Sequence, residues 1–285
     1  MMPTCSSTWC RPGMGQRASD RAPLRRRQIE VRGARLHTYA GGDGPPVVLV
    51  HGFAVSSVYM LPLARSLASS HFVHTIDLPG HGRSGTLRCS PSIETFSEAL
   101  GDWIDVVGLE RPAFVANSMG CQVVTDLAVR RPASVGPLVL IGPSVDPHRR
   151  SARHQLMSAV RDLGHEPISL LARSAGEEVR AARISTLVPL VRSVIADRIE
   201  DRLPMIEQPT VIVRGSEDGF AGADWVRRAV DLLPHGRLVV VEGEAHAVHY
   251  TRPHLVARIV REFVGGEHEG GWVVGEPVER RNRAG

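Results

Sequence analysis

Residues 113–121 read Ala-Phe-Val-Ala-Asn-Ser-Met-Gly-Cys, and no other stretch constrains the fold of this chain as strongly. An apolar run from Ala113 to Ala116 ends at Asn117 and Ser118. Gly120 follows, then an amphipathic run with Val123, Val124, Leu127 and Ala128 on one face. A continuous apolar segment that gives way to helical periodicity across one serine predicts a buried strand, a sharp turn and a helix. So tight a turn puts Ser118 in a strained backbone conformation with its hydroxyl above the sheet edge. The free N–H groups of the following helix point at the same spot. Strand and helix backbones pass close together there, so small residues must flank the serine. Ala116 and Gly120 fill those places.

The same strand-then-loop texture recurs along the chain. Gln28–Arg32 and Arg35–Tyr39 alternate apolar and polar residues around Gly33, which predicts a hairpin at a sheet edge. Val47–Val50 is a short β-branched run suited to a strand buried on both faces, and it ends at His51-Gly52-Phe53-Ala54. Residues 56–69 predict an amphipathic helix opened by serines, and Phe72–Asp77 another strand. Asp77-Leu-Pro-Gly-His-Gly-Arg-Ser84 then makes a tight irregular turn. Ser92 is the N-cap candidate for a helix to Val107, and Leu138–Ile141 is a further buried strand. Beyond about Pro147 strand-like runs cease, and helical periodicity prevails to Pro204. Thr210–Arg214 and Leu238–Glu242 resume the strands, leading into Gly215-Ser-Glu-Asp218 and Gly243-Glu-Ala-His246. Ala223–Leu233 is helical between them, and a closing helix over 248–263 is interrupted at Pro253.

Taken together, these segments resemble the α/β-hydrolase family. The elbow at Ser118 matches its G-x-S-x-G pattern with Ala116 in place of the first glycine. Asp77–Ser84 matches a D-x-P-G-x-G-x-S loop, and His51-Gly52 the pair that opens an oxyanion hole. The resemblance covers roughly residues 28–265. It implies an α/β-hydrolase fold: a mostly parallel eight-stranded sheet with helices on both faces and a helical cap inserted after the sixth strand. The expected organisation is a disordered leader over 1–27, a core of 28–144 and 206–265, a cap over 145–205 and a disordered tail over 266–285. Arg25, Arg26 and Arg27 are read as part of the leader, and Met14 is an alternative start.

The order Ser118, Asp218, His246 is the family's chain order of nucleophile, acid and base. Each follows a predicted strand, on the carboxyl-end rim where open α/β sheets place ligands. A serine hydroxyl is a poor nucleophile at neutral pH, a histidine can take and return its proton, and a carboxylate fixes the imidazole tautomer. The resemblance places oxyanion-hole donors at the backbone N–H groups of Phe53 and Met119. His51 is expected to brace its loop, and Asp77 to serve by hydrogen bonding. Asp146 is the alternative acid. Glu217 fits the Gly215–Asp218 spacing less well. His249 lies three residues past His246, and the family's histidine-to-proline spacing selects His246 with Pro253.

The charge pattern points away from nucleic acid. Lys and Arg total 34, and every one is arginine, which fits codon usage better than a polyanion partner. Cys5, Cys10, Cys89 and Cys121 show no metal-ligand spacing and demand no disulfide, which fits a reducing cytoplasm. No apolar run is long enough for a membrane span. The expectation is therefore a cytoplasmic serine hydrolase, a monomer or homodimer. It would act on a small-molecule ester, lactone or thioester with no metal, cofactor, nucleic acid or membrane. Carbon–carbon bond hydrolysis of a diketone-like compound and a non-hydrolytic binding member of the fold are the alternatives. Arg149, Arg150, Arg153 and His154 are candidates to greet an anion, although a solvated helix face is the simpler reading. Leu156, Met157, Leu170, Leu171, Leu187 and Leu190 are candidates for a pocket lining or a cap core.

Overall fold

Val47, Val48, Leu49 and Val50 are all fully buried. They alternate between two hydrophobic cores: Val48 and Val50 in one, Val47 and Leu49 in the other. Such alternation means the strand has helices on both faces. The same division runs through the neighbouring strands. Phe114, Ala116, Leu138 and Leu140 join the first core, and Val115, Val139, Ile141, Val211 and Val213 the second.

The computed structural model describes residues 23–147, 150 and 184–266. Its strands are β1 (Arg25–Val31), β2 (Ala34–Gly42), β3 (Pro46–Val50), β4 (Phe72–Ile76), β5 (Ala113–Asn117), β6 (Leu138–Ile141), β7 (Thr210–Gly215) and β8 (Gly236–Val241). They form one eight-stranded sheet in the order β1-β2-β4-β3-β5-β6-β7-β8. Strands β3 to β8 are parallel, and the β1–β2 hairpin is added antiparallel at the edge. Arg32 and Gly33 turn the hairpin, both at positive φ, as a two-residue turn matched to strand twist requires.

The helices are α1 (Ser57–Leu67), α2 (Ile93–Val107), α3 (Met119–Arg130), α4 (Ile184–Ala196), α5 (Ile199–Arg202), α6 (Ala223–Leu232), α7 (Val248–Thr251) and α8 (Pro253–Val264). Residues of α2, α3 and α6 line the first core, and those of α1, α7 and α8 the second. The caps expected from sequence are in place. Ser56 accepts from Val58 N–H, and Ser92 forms a reciprocal box with Thr95. The closing helix is two helices, broken at Arg252, with Pro253 in the first turn of the second, where its missing N–H costs nothing.

The three arginines read as leader are strand instead. Arg25, Arg26 and Arg27 pair with Ala40, Tyr39 and Thr38, and Arg26 lies over the Tyr39 ring. The limb that returns from the expected cap is bound to α3. Gln122 Nε2 donates to Val194 O at 2.9 Å and to Asp197 Oδ2 at 3.0 Å, and Arg202 pairs with Asp197 at 2.6 Å. Leu190 is buried in the first core, so it packs rather than lines an opening. Arg150 is paired with Glu200 and donates to Asp197 O, which occupies its charge within the protein. Arg149, Arg153, His154, Leu156, Met157, Leu170 and Leu171 lie outside the described residues, as do Cys5, Cys10 and Met14.

Candidate active site

Strand β5 ends at Asn117, and α3 begins at Met119, so a single residue turns the chain. That residue, Ser118, has φ 55° and ψ −120°, a region L-residues seldom occupy. Two backbone bonds hold it there: Ser118 N–H donates to Ile141 O at 3.0 Å, and Cys121 N–H donates to Ser118 O at 2.9 Å. The flanking residues are small for reasons that can be measured. A Cβ on Gly120 would stand 2.7 Å from the carbonyl oxygens of Val50 and His51, and one on Gly52 would stand 3.0 Å from Ser118 Cβ. Ala116, where the family pattern has glycine, points its methyl into the first core and is fully buried. There is room for it, which explains the departure from the pattern.

Beside the elbow, β7 runs into Asp218 and β8 into His246. Gly215 permits this approach, because any Cβ there would strike the backbone carbonyls of Glu244 and Ala245. Asp218 Oδ1 accepts from the N–H groups of Phe220 (2.8 Å) and Ala221 (2.9 Å), and Oδ2 meets His246 Nδ1 at 3.0 Å. Arg214 fixes the same loop from below through Ala221 O at 2.6 Å and Asp218 O at 3.3 Å. Burial pushes the Asp218 carboxyl up, but nearby His246 and the two amide donors outweigh it and hold the group below the usual carboxylate range. An ionised carboxylate can only accept, so the proton of the His246–Asp218 bond is on Nδ1. That leaves Nε2 of the neutral ring as the basic nitrogen.

The other candidates have surroundings of their own. Asp146 lies 3.7 Å from Arg228, and Glu217 is exposed. His249 is fully buried in α7, edge-on to the Tyr59 ring at 4.5 Å. Its burial, with His246 nearby, lowers its pKa to about 3. His51 accepts from Leu78 N–H at Nε2 (3.0 Å), so its Nδ1–H donates to Gly52 O (2.8 Å) and braces the loop. Asp77 gathers His37 Nδ1, Ser57 N–H and Arg83 N–H at 2.7–3.0 Å. Burial pushes the Cys121 thiol up strongly, which leaves it inert as a nucleophile. Met119 is the first residue of α3, so no earlier turn supplies an acceptor for its N–H. The Phe53 N–H has no partner among the described residues.

Three contacts escaped the sequence reading. Asn117 Nδ2 donates to Ile141 O at 3.3 Å and reaches His246 O at 3.5 Å, linking the elbow to the histidine loop. Ser144 Oγ lies 3.3 Å from Ser118 Oγ. Trp225 Nε1–H donates to Pro143 O at 2.9 Å, which pins the loop that carries Ser144. None follows a sequence period, since each joins segments far apart in the chain. Among the described residues no three His, Cys, Asp or Glu side chains gather as a metal site, and no helix is long and apolar enough to cross a membrane.

A parallel sheet with a serine at a strained strand-to-helix turn and an imidazole–carboxylate pair at its carboxyl edge defines an α/β-hydrolase fold. The chain belongs to the alpha/beta hydrolase family, whose model matches residues 47–259, and it is that of a hydrolytic enzyme. It is 24% identical over 250 residues to (E)-2-((N-methylformamido)methylene)succinate hydrolase of Acinetobacter baylyi, covering 80% of this chain and 93% of that protein. It is 27% identical over 257 residues to pimeloyl-acyl-carrier-protein methyl ester esterase of Aromatoleum aromaticum, covering 78% and 99%. Its fold is similar to that of the enol-lactonase of Burkholderia xenovorans LB400, with TM-score 0.71, 19% identity and coverage of 84% and 100%.

Proposed function

We propose that the protein is a serine hydrolase that cleaves a small ester, lactone or thioester through an acyl-enzyme. Ser118 is the nucleophile, and His246 takes its proton through Nε2. Asp218 holds the imidazole in the required tautomer and stabilises the imidazolium. The N–H groups of Phe53 and Met119 receive the oxyanion. One observation carries this reading: Oδ2 of the buried Asp218 meets His246 Nδ1 at 3.0 Å, and the sheet that carries this pair also holds a strained serine at the head of α3. The similar methyl ester esterase and enol-lactonase support the ester and lactone readings.

The reaction proceeds in two halves. Ser118 Oγ attacks the acyl carbon as its proton moves to His246. The imidazolium then protonates the departing alcohol or thiol. Water, activated by the same histidine, releases the acid and restores the serine. Loss of the serine or histidine from such a unit typically lowers kcat on the order of 10⁶. The test is intact-mass analysis after a serine-reactive fluorophosphonate. A single adduct on the wild type, absent from Ser118→Ala and His246→Ala, is expected. Labelling that survives Ser118→Ala would remove Ser118 from the role.

A further inference from the structure

The loop that follows β6 carries a residue with no assigned part in this chemistry. Gly142 N–H donates to Val213 O at 2.9 Å, Trp225 grips Pro143 O, and Ser144 comes next. Ser144 is 4% exposed. Its side chain has one hydrogen-bond partner among the described residues, Ser118 Oγ at 3.3 Å. Buried hydroxyls are normally satisfied by backbone groups or water. This one is held by two anchors on different elements against the atom that would form and break the acyl bond.

We propose that Ser144 is a catalytic residue of the deacylation half-reaction, donating a hydrogen bond to Ser118 Oγ as that oxygen is expelled. The proposal rests on the reading of Ser118 as nucleophile. In deacylation the water oxygen bonds to the acyl carbon, and one water proton passes to His246 Nε2. The bond from carbon to Ser118 Oγ breaks with its electron pair going to Oγ, and the imidazolium returns the proton to that oxygen. Ser144 keeps its own proton throughout. Its contribution depends on how strong an acceptor Oγ is at each stage. In the acyl-enzyme, Oγ is an ester oxygen whose lone pair is drawn into the carbonyl, a weak acceptor. In the transition state for expulsion it carries developing negative charge and accepts strongly. Only an interaction that strengthens between ground and transition state accelerates a step. In the free enzyme the bond to the serine hydroxyl already exists, so acylation gains much less from it.

The test compares wild type with Ser144→Ala, using stopped-flow hydrolysis of a p-nitrophenyl ester, intact mass during turnover and fluorophosphonate labelling. The expected result has three parts. Labelling and burst rates stay within about twofold, steady-state turnover falls about tenfold, and the acyl-enzyme mass accumulates. Turnover within about twofold of wild type would overturn the proposal. So would a parallel fall of burst rate and turnover, which is what a merely structural role would give. If Ser144→Ala does not fold, Ser144→Gly removes the same hydroxyl and is read by the same split. A failure of the underlying reading looks different: the wild type takes no phosphonate at Ser118, and Ser118→Ala retains its esterase turnover.

Discussion

The Asp218–His246 pair lies against the bare α-carbon of Gly142. A Cβ added there would stand 2.8 Å from both Asp218 Oδ2 and His246 Nδ1. The loop after β6 therefore touches the pair at one end and Ser118 at the other, through Ser144. This loop couples the three proposed reacting residues physically, although its sequence, Gly-Pro-Ser-Val, carries no motif.

Gly142→Ala is expected to damage activity far more than stability. The residue has φ 54°, where a side chain costs about 1–3 kcal/mol, and the new methyl must displace the imidazole or the carboxylate. A displacement of about 1 Å can cost on the order of a hundredfold in rate. Steady-state kinetics and thermal unfolding of the same preparation check this. A variant with near wild-type turnover would show that the pair has room to move.

Asp218→Asn and Asp146→Asn separate the two candidate acids. An amide at 218 can donate to Nδ1, which favours the wrong imidazole tautomer and is expected to lower kcat by about 10⁴. Asp146 pairs loosely with Arg228 at 3.7 Å. The amide at 146 leaves the Asp218–His246 contact in place, so this variant is expected to turn over within about fivefold of wild type. The reverse ranking would transfer the acid's role to Asp146.

The strands were legible wherever both faces are buried, because such segments read as unbroken apolar runs: Val47–Val50, Leu138–Ile141 and the run into Asn117. Arg25–Arg27 was misread for the opposite reason. An edge strand with those residues exposed offers no alternation to detect. Ser118, Asp218 and His246 stand out as candidates because each follows a strand and short-range glycine spacings mark their turns. Gly215 and Gly120 have spatial reasons for being glycine that match the pattern. Ser144 and Asn117 left no trace, since their partners come from other strands, and only the folded sheet brings them together. The contact of Asp218 Oδ2 with His246 Nδ1 is likewise a long-range fact.

Ser118→Gly and Ser118→Ala should both be inactive, yet they should differ in stability. Glycine reaches φ 55°, ψ −120° without a Cβ penalty, whereas alanine retains the strain. The strain is worth about 1–3 kcal/mol, and glycine's greater freedom in the unfolded chain offsets about 0.5–1 kcal/mol of the gain. Denaturant unfolding is therefore expected to place Ser118→Gly about 1 kcal/mol above Ser118→Ala. Equal midpoints would mean that the elbow stores no strain at this residue.

His249 should make the protein sensitive to acid. Its ring is fully buried, and neither nitrogen has a hydrogen-bond partner among the described residues. Burial lowers its pKa from 6.5 to about 3. Between those values the unfolded chain binds a proton that the folded chain refuses. The stability tied to this residue is thus intact above pH 6.5 and is lost as the pH falls toward 3. At pH 5 the loss amounts to about 2 kcal/mol, taking about 1.4 kcal/mol per pH unit. His249→Phe keeps a ring edge-on to Tyr59 and removes both unpartnered nitrogens. Its unfolding free energy is expected to match or exceed that of wild type at pH 7.5 and to exceed it by about 2 kcal/mol more at pH 5. His74, also buried and lowered to about 4, remains in both proteins and shifts their curves alike. Parallel pH–stability curves for the two proteins would mean that His249 is already protonated, or solvated, in the folded state.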